Sequence, residues 1–289
     1  MPEKRWIETP EPGIYPAKDV PAELYHSWDA MSASWLGILD TTSPKAFHHK
    51  RRFPDRPTAA MQFGEMLHVL VLEPFDFGAR FEIAPDYDKR TKAGKLAWAE
   101  CEARADGRPI VPRSGKDSYN QARAMAHAIQ EHPHAPKLLD SGQHELSLVW
   151  VDGEAGVKCK ARLDALNPPA VVDVKSTLDA HPMQFEKAIW NFGYHRQAAI
   201  YLDALAALGK GDVPEFVFVA VEKSAPYDVI IRPAGESVIA AGRMAYKRAL
   251  FTYKKCRETD TWPGYDGPEG NLTPLELPEW ALREEGLVQ

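Results

Sequence analysis

Between Val157 and Asp164 apolar and charged residues alternate strictly. Val157, Cys159, Ala161 and Leu163 fall on one side, and Lys158, Lys160, Arg162 and Asp164 on the other. A period of two predicts a half-buried strand with one wet face. Val171 to Lys175 repeats the pattern, with Val172 and Val174 inward and Asp173 and Lys175 outward. Asn167-Pro168-Pro169 lies between the two runs and is a strong turn signal. The two runs therefore predict a hairpin. A turn centred between Pro168 and Pro169 sets Asp164 opposite Asp173, with Cβ atoms about 4.5–5.5 Å apart. A slip of one residue would break that opposition.

The rest of the chain reads as helices and short strands around this hairpin. A helix begins near Met31–Ser34, with Ser32 or Ser34 as N-cap, and runs through Trp35, Leu36 and Leu39 to Ser43-Pro44. Residues 58–73 predict a helix stopped by Pro74, carrying Met61, Met66, Leu67, Leu70 and Val71 on its apolar face. Residues 75–113 read as a loop-rich insertion with a helix at about 93–105, and residues 115–131 as a further helix. Strands are expected near 144–151 and 157–164, joined at Asp152-Gly153, and then at 171–175. A long helical region covers about 183–208. A second hairpin pairs 217–221 with 229–231, and a helix spans about 235–258. Residues 1–24 are Pro-rich and read as extended, 25–262 as a single domain, and 263–289 as a tail. The fold class expected is α/β (α+β), a mixed sheet flanked by helices.

Composition narrows the function classes. The 289 residues are 44% hydrophobic, enough for one sizeable core. No apolar run approaches the ~18 residues of a membrane-spanning helix, and MPEKRWIETPEPG lacks the apolar stretch of a signal peptide. Cys101, Cys159 and Cys256 are odd in number and far apart. They fit a reducing, cytoplasmic setting and give no zinc or iron–sulfur spacing. The formal net charge of −6 counts mildly against nucleic acid, although a local basic groove or a bound metal can offset acidic charge elsewhere. The chain carries no G-x-S-x-G elbow, Walker A loop, dinucleotide fingerprint or H-E-x-x-H.

Two carboxylates facing each other in a sheet repel, and a divalent cation between them removes the problem. Hard oxygen ligands with open water positions suit Mg²⁺ or Mn²⁺. Lys175 emerges on the Asp173 face, where an ammonium stabilises an attacking water or developing phosphorane charge. The plain alternative is a surface hairpin with a charged wet face. His68, one turn beyond Gly64, is either a further ligand or a packed helix histidine. Glu145, on the strand before the hairpin, supports a metal or faces solvent. Gln197 and Tyr201 share a helix face at i, i+4, which Trp190 and Tyr194 extend. They orient a phosphate or the metal's water, or simply pack. Lys158, Lys160 and Arg162 form a stripe along which a DNA backbone fits, unless that stripe is only solvated.

In order along the chain, these groups are G-x-x-x-H (Gly64, His68), a strand Glu (Glu145), Asp164, D-x-K (Asp173, Lys175) and Q-x-x-x-Y (Gln197, Tyr201). The set resembles the RecB-like branch of the PD-(D/E)XK nuclease superfamily. It is similar, more closely, to the RecE-type exonucleases of phages and prophages, from about Tyr25 to Trp262. The resemblance implies a restriction-endonuclease-like core. It implies one or two Mg²⁺ or Mn²⁺ ions held by His68, Asp164 and Asp173 with the Val174 carbonyl, and Glu145 in support. It gives Lys175 the nucleophilic water, and Gln197 and Tyr201 the scissile region. It further implies 5′→3′ degradation of linear double-stranded DNA to leave a 3′ overhang, a ring-like homo-oligomer such as a tetramer, and a single-strand annealing protein as partner. Two other readings stay open: a RecB-like endonuclease or flap nuclease, and a non-catalytic DNA-binding module on a nuclease fold. The cysteines cannot build the iron–sulfur cluster usual in the CRISPR-associated kind of the former.

Overall fold

The computed structural model describes residues 3–212, 215–270, 272 and 274–287. Its centre is a six-stranded sheet of β1 (Gly13–Tyr15), β2 (Gln143–Val151), β3 (Lys158–Asn167), β4 (Ala170–Thr177), β5 (Glu215–Glu222) and β6 (Val229–Pro233), in that spatial order. Neighbours pair antiparallel except β4 and β5, which are parallel. A parallel pair needs a long crossover, and two helices provide it, α5 (Pro182–Asn191) and α6 (Tyr194–Ala207).

Each face of the sheet is covered by helices. One core joins Leu146, Leu148, Ala161, Leu163, Phe216 and Phe218 to α6, to α1 (Ala33–Thr41) and to α7 (Glu236–Thr259). The other joins Val172, Val174, Val217 and Val219 to α3 (Ala59–Leu72) and α4 (Tyr119–Glu131). Side-chain oxygens close the helix starts as capping chemistry requires. Ser32, Thr58 and Ser118 accept from the backbone N–H groups of Trp35, Met61 and Gln121. Where α6 meets α7 the backbones come close. A Cβ added at Gly242 would lie 1.9 Å from the His195 carbonyl oxygen.

Three expectations change. The helical region 183–208 breaks at Phe192–Gly193, where Gly193 takes φ 71°, a left-handed turn that no continuous helix contains. The Pro-rich start is not merely extended: β1 extends the sheet, and a short helix follows at Ala22–Ser27. Pro44–Arg52 forms a helix, α2, that the pattern does not announce. Its PKAFHHKRR sequence is mostly basic, and only Phe47 and Arg51, one turn apart, are buried. The insertion holds a helix at Lys92–Ala105 and a two-stranded parallel ladder of Glu82–Ile83 with Ile110–Val111.

Candidate active site

The β3–β4 register places Ala165 against Val172, Leu166 against Val171 and Asn167 against Ala170. This is the register expected from a turn centred on the two prolines, and the next position along would pair Asp164 with Asp173. There the ladder stops, and Asp164 Oδ2 accepts from the Val174 N–H at 2.8 Å in place of a backbone carbonyl. The alternation also breaks here. Leu163 packs into one core and Ala165, two residues on, into the other. On the neighbouring strand the same level is occupied by Glu145 at φ 52°, a left-handed conformation uncommon for a residue with a Cβ. Two adjacent strands thus interrupt their pleat side by side, and both interruptions carry a carboxylate.

His68 reaches this gap from α3. Its Nε2 lies 2.9 Å from the Val174 carbonyl oxygen and its Nδ1 3.6 Å from Asp164 Oδ1. His68, Glu145 and Asp164 each bring a ligand atom within 4.8 Å of the others. Arg162 holds Glu145, with Nε 2.5 Å from Oε2, and also donates to Ser147 Oγ and the Val20 carbonyl.

Asp173 is fully buried on the side of α6. Gln197 Nε2 donates to its Oδ1 at 2.6 Å, and also lies 3.3 Å from Tyr201 Oη. Its Oδ2 forms an ion pair with Lys175 Nζ at 2.6 Å. Burial pushes the Asp173 carboxyl up to about 6. The Asp164 charge adds to the rise, and Lys175 and His68 oppose it. Burial works against the Lys175 ammonium as well. The carboxylates of Asp173 and Asp164 outweigh it and hold the amine above the usual lysine value. Lys175 also lies 4.9 Å over the Tyr194 ring. Burial raises the Tyr201 phenol well above its ordinary value, so it stays protonated.

The donor set fits a hard divalent cation. His68, Glu145 and Asp164 bring one nitrogen and two carboxylates together, the kind of N/O donor set that Mn²⁺ or Mg²⁺ takes, while His68 Nε2 lies at hydrogen-bonding distance from the Val174 carbonyl. Asp173 Oδ2 is matched by the Lys175 ammonium at 2.6 Å. His68, Asp164, Glu145 and the Val174 carbonyl gather at one point, with Asp173 and Lys175 across the β4 backbone. Gln197 and Tyr201 stand behind Asp173. Gln197 buttresses its carboxylate, and the buried Tyr201 lies against Gln197.

The basic stripe is a correction. Lys158 Nζ donates to the Thr9 carbonyl. Lys160 Nζ donates to those of Tyr25 and Trp28 at 2.7 and 2.8 Å, and Arg162 to that of Val20. Lys160 is 2% exposed. The face expected to be wet lies under the N-terminal segment, and its cations serve backbone carbonyls and Glu145 instead of a phosphate track. The strand alternation revealed the face but not what covers it. Sequence reasoning also missed Arg162 as the partner of Glu145. Ser147 stands opposite Arg162, so Glu145 is its diagonal neighbour, a relation visible only once the β2–β3 register is known.

Residues 32–269 match the family model described as a PDDEXK-like domain of unknown function (DUF3799). The chain belongs to this family. The PDDEXK-like chain is also similar in fold to the crystal structure of a "putative exonuclease" from Eubacterium rectale. That likeness has a TM-score of 0.61 at 15% identity and covers 91% of this chain and 97% of the other. No curated protein matches the sequence significantly. The expected mixed-sheet nuclease fold is therefore present. Among the described residues no helix is long and apolar enough to cross a membrane.

Proposed function

We propose that this PDDEXK-like protein is a metal-dependent exodeoxyribonuclease that hydrolyses linear double-stranded DNA. The observation that carries the reading is the convergence of His68, Glu145, Asp164 and the Val174 carbonyl on one gap in the sheet, beside the Asp173–Lys175 pair. One or two Mg²⁺ or Mn²⁺ ions held there would lower the pKa of a bound water and neutralise phosphate charge.

The chain's own groups divide the remaining work. Lys175 is protonated at neutral pH, so it serves as a fixed cation and not as a base. It holds the water or an anionic phosphate oxygen and stabilises charge as it develops. Gln197 fixes one oxygen of the Asp173 carboxylate, leaving the second to the Lys175 ammonium. Arg162 fixes Glu145 in the same manner. Cleavage in the 5′→3′ direction, a ring-shaped homo-oligomer, a single-strand annealing partner and a cytoplasmic place of action follow from the RecE-type resemblance. The nuclease fold and the named exonuclease of E. rectale support the activity class.

The test is incubation of linear and covalently closed duplex DNA with Mg²⁺ or EDTA, using strands labelled at either the 5′ or the 3′ end. Mg²⁺-dependent loss of linear DNA alone, with early release of the 5′ label, is expected. Nicking of the closed circle would replace the exonuclease reading with the endonuclease one. Binding without cleavage would leave a non-catalytic module.

A further inference from the structure

We propose that the exposed rings of Phe192 and Trp190, at one end of α5, offer stacking surfaces for unpaired DNA bases, Phe192 leading through Tyr194 to Lys175 of the candidate active site. The proposal rests on the nucleic-acid reading above and adds a preference for frayed or single-stranded ends. Phe192 is 68% exposed and Trp190 67%, in a chain with two well-filled cores. The Phe192 ring stands 5.7 Å from that of Tyr194, which in turn lies 4.9 Å from Lys175 Nζ. Phe192 is therefore at most about 11 Å from the catalytic amine, a few nucleotides at the roughly 3.4 Å rise per nucleotide of a stacked strand. Trp190 lies flat on His195, with centroids 5.0 Å apart and an interplanar angle of 11°. One face is thereby fixed and the other left to solvent. Beside it opens a cleft of about 430 Å³, lined by Trp190, Asn191, His195, Met244 and Arg248.

The turn that presents the rings holds Gly193 at φ 71° beside the Arg196 guanidinium, and Arg196 is itself anchored to Asp40 at 3.1 Å. Two rings are thus held outward by a turn that breaks the crossover helix, and one of them leads by ring contact to Lys175. Every base offers a π face, so such rings bind single strands with little regard to sequence. The continuity with Lys175 favours DNA as the occupant over a protein surface.

The experiment measures anisotropy of a labelled oligothymidylate in EDTA with the whole chain, with Phe192→Ala, Trp190→Ala and Phe192→Tyr. Each alanine variant should weaken binding about 5- to 150-fold, the equivalent of one lost base stack. Phe192→Tyr should bind as wild type, and melting temperatures should be unchanged. With Mg²⁺ the alanine variants should raise KM on duplexes with unpaired ends and leave kcat intact. Wild-type affinity in both alanine variants overturns the platform, as does a loss of affinity that accompanies a change of oligomeric state in sedimentation. If no DNA is cleaved but oligothymidylate binding still depends on Phe192, the nuclease reading fails and the platform stands. If cleavage is normal and the variants bind like wild type, the platform alone fails.

Discussion

Replacing Lys160 by methionine separates the two roles that its strand position allows. The ammonium is buried and donates to the Tyr25 and Trp28 carbonyls at 2.7 and 2.8 Å, with the Tyr25 ring 4.9 Å away. Methionine keeps the packing volume and removes both donors. Each carbonyl keeps a backbone donor, the Trp28 N–H on Tyr25 and the Ala30 N–H on Trp28, so the loss is that of two hydrogen bonds at about 0.5–1.5 kcal/mol each, about 1–3 kcal/mol together. Relief of the buried amine's desolvation offsets part of this, leaving about 1–2 kcal/mol. At about 2 °C per kcal/mol for a chain of this size, the melting temperature should fall by about 2–4 °C. The pH dependence gives a second signature. Burial pushes the Lys160 amine down to about 7 from an ordinary 10.5. Between those values the unfolded chain holds a proton that the folded one has released. Stability contributed by Lys160 is therefore complete above pH 10.5 and lost as pH falls through about 7. The gap between wild type and variant should widen as pH rises through that window in thermal denaturation. An unchanged melting temperature, together with DNA binding whose salt slope drops by about one, would return Lys160 to the phosphate track and refute the internal assignment.

Lys175→Ala and Asp173→Ala should each lower Mg²⁺-dependent DNA hydrolysis by at least about 10²-fold with circular dichroism unchanged; a fully active Asp173→Ala would remove the site. The Asp173 charge lies beside the ligand set and favours a bound cation, so Mn²⁺ binding by calorimetry and cleavage should both fall as pH drops through about 6. In the metal-free protein the sign reverses. The fold favours the neutral acid, so the stability contributed by Asp173 is complete below its ordinary 3.8 and lost as pH rises through about 6. Glu145→Gln should weaken Mn²⁺ binding about 10-fold or more, which titration of the variant checks. Gly242→Ala should destabilise the chain by at least about 1–3 kcal/mol through overpacking between α6 and α7, visible as a lower denaturation midpoint; an unchanged midpoint would show that the two helices can separate.

Local pattern determined most of what lies along single elements. Strict alternation at Val157–Asp164 and Val171–Lys175 marked β3 and β4. Asn167-Pro168-Pro169 set their register, because side-chain period and turn position leave one way to keep both apolar sets buried. Thr58, Pro74 and Ser32 marked helix ends because capping is local chemistry. The order of His68, Glu145, Asp164, Asp173, Lys175 and Gln197 was legible for the same reason. What the alternation could not carry was the far side of each face. A charged strand face reads as wet whether water or another part of the chain covers it, so Lys158, Lys160 and Arg162 looked free until residues 3–31 folded over them. The helix break at Gly193 is local chemistry, a glycine taking the left-handed conformation that ends a helix, but the apolar pattern running on through Tyr194 and Ala198 hid it. The gap that gathers the ligands exists only because β2 and β3 break their pleat at the same level, at Glu145 and Asp164. Alternation describes one strand at a time, and the coincidence of two breaks is a property of their pairing.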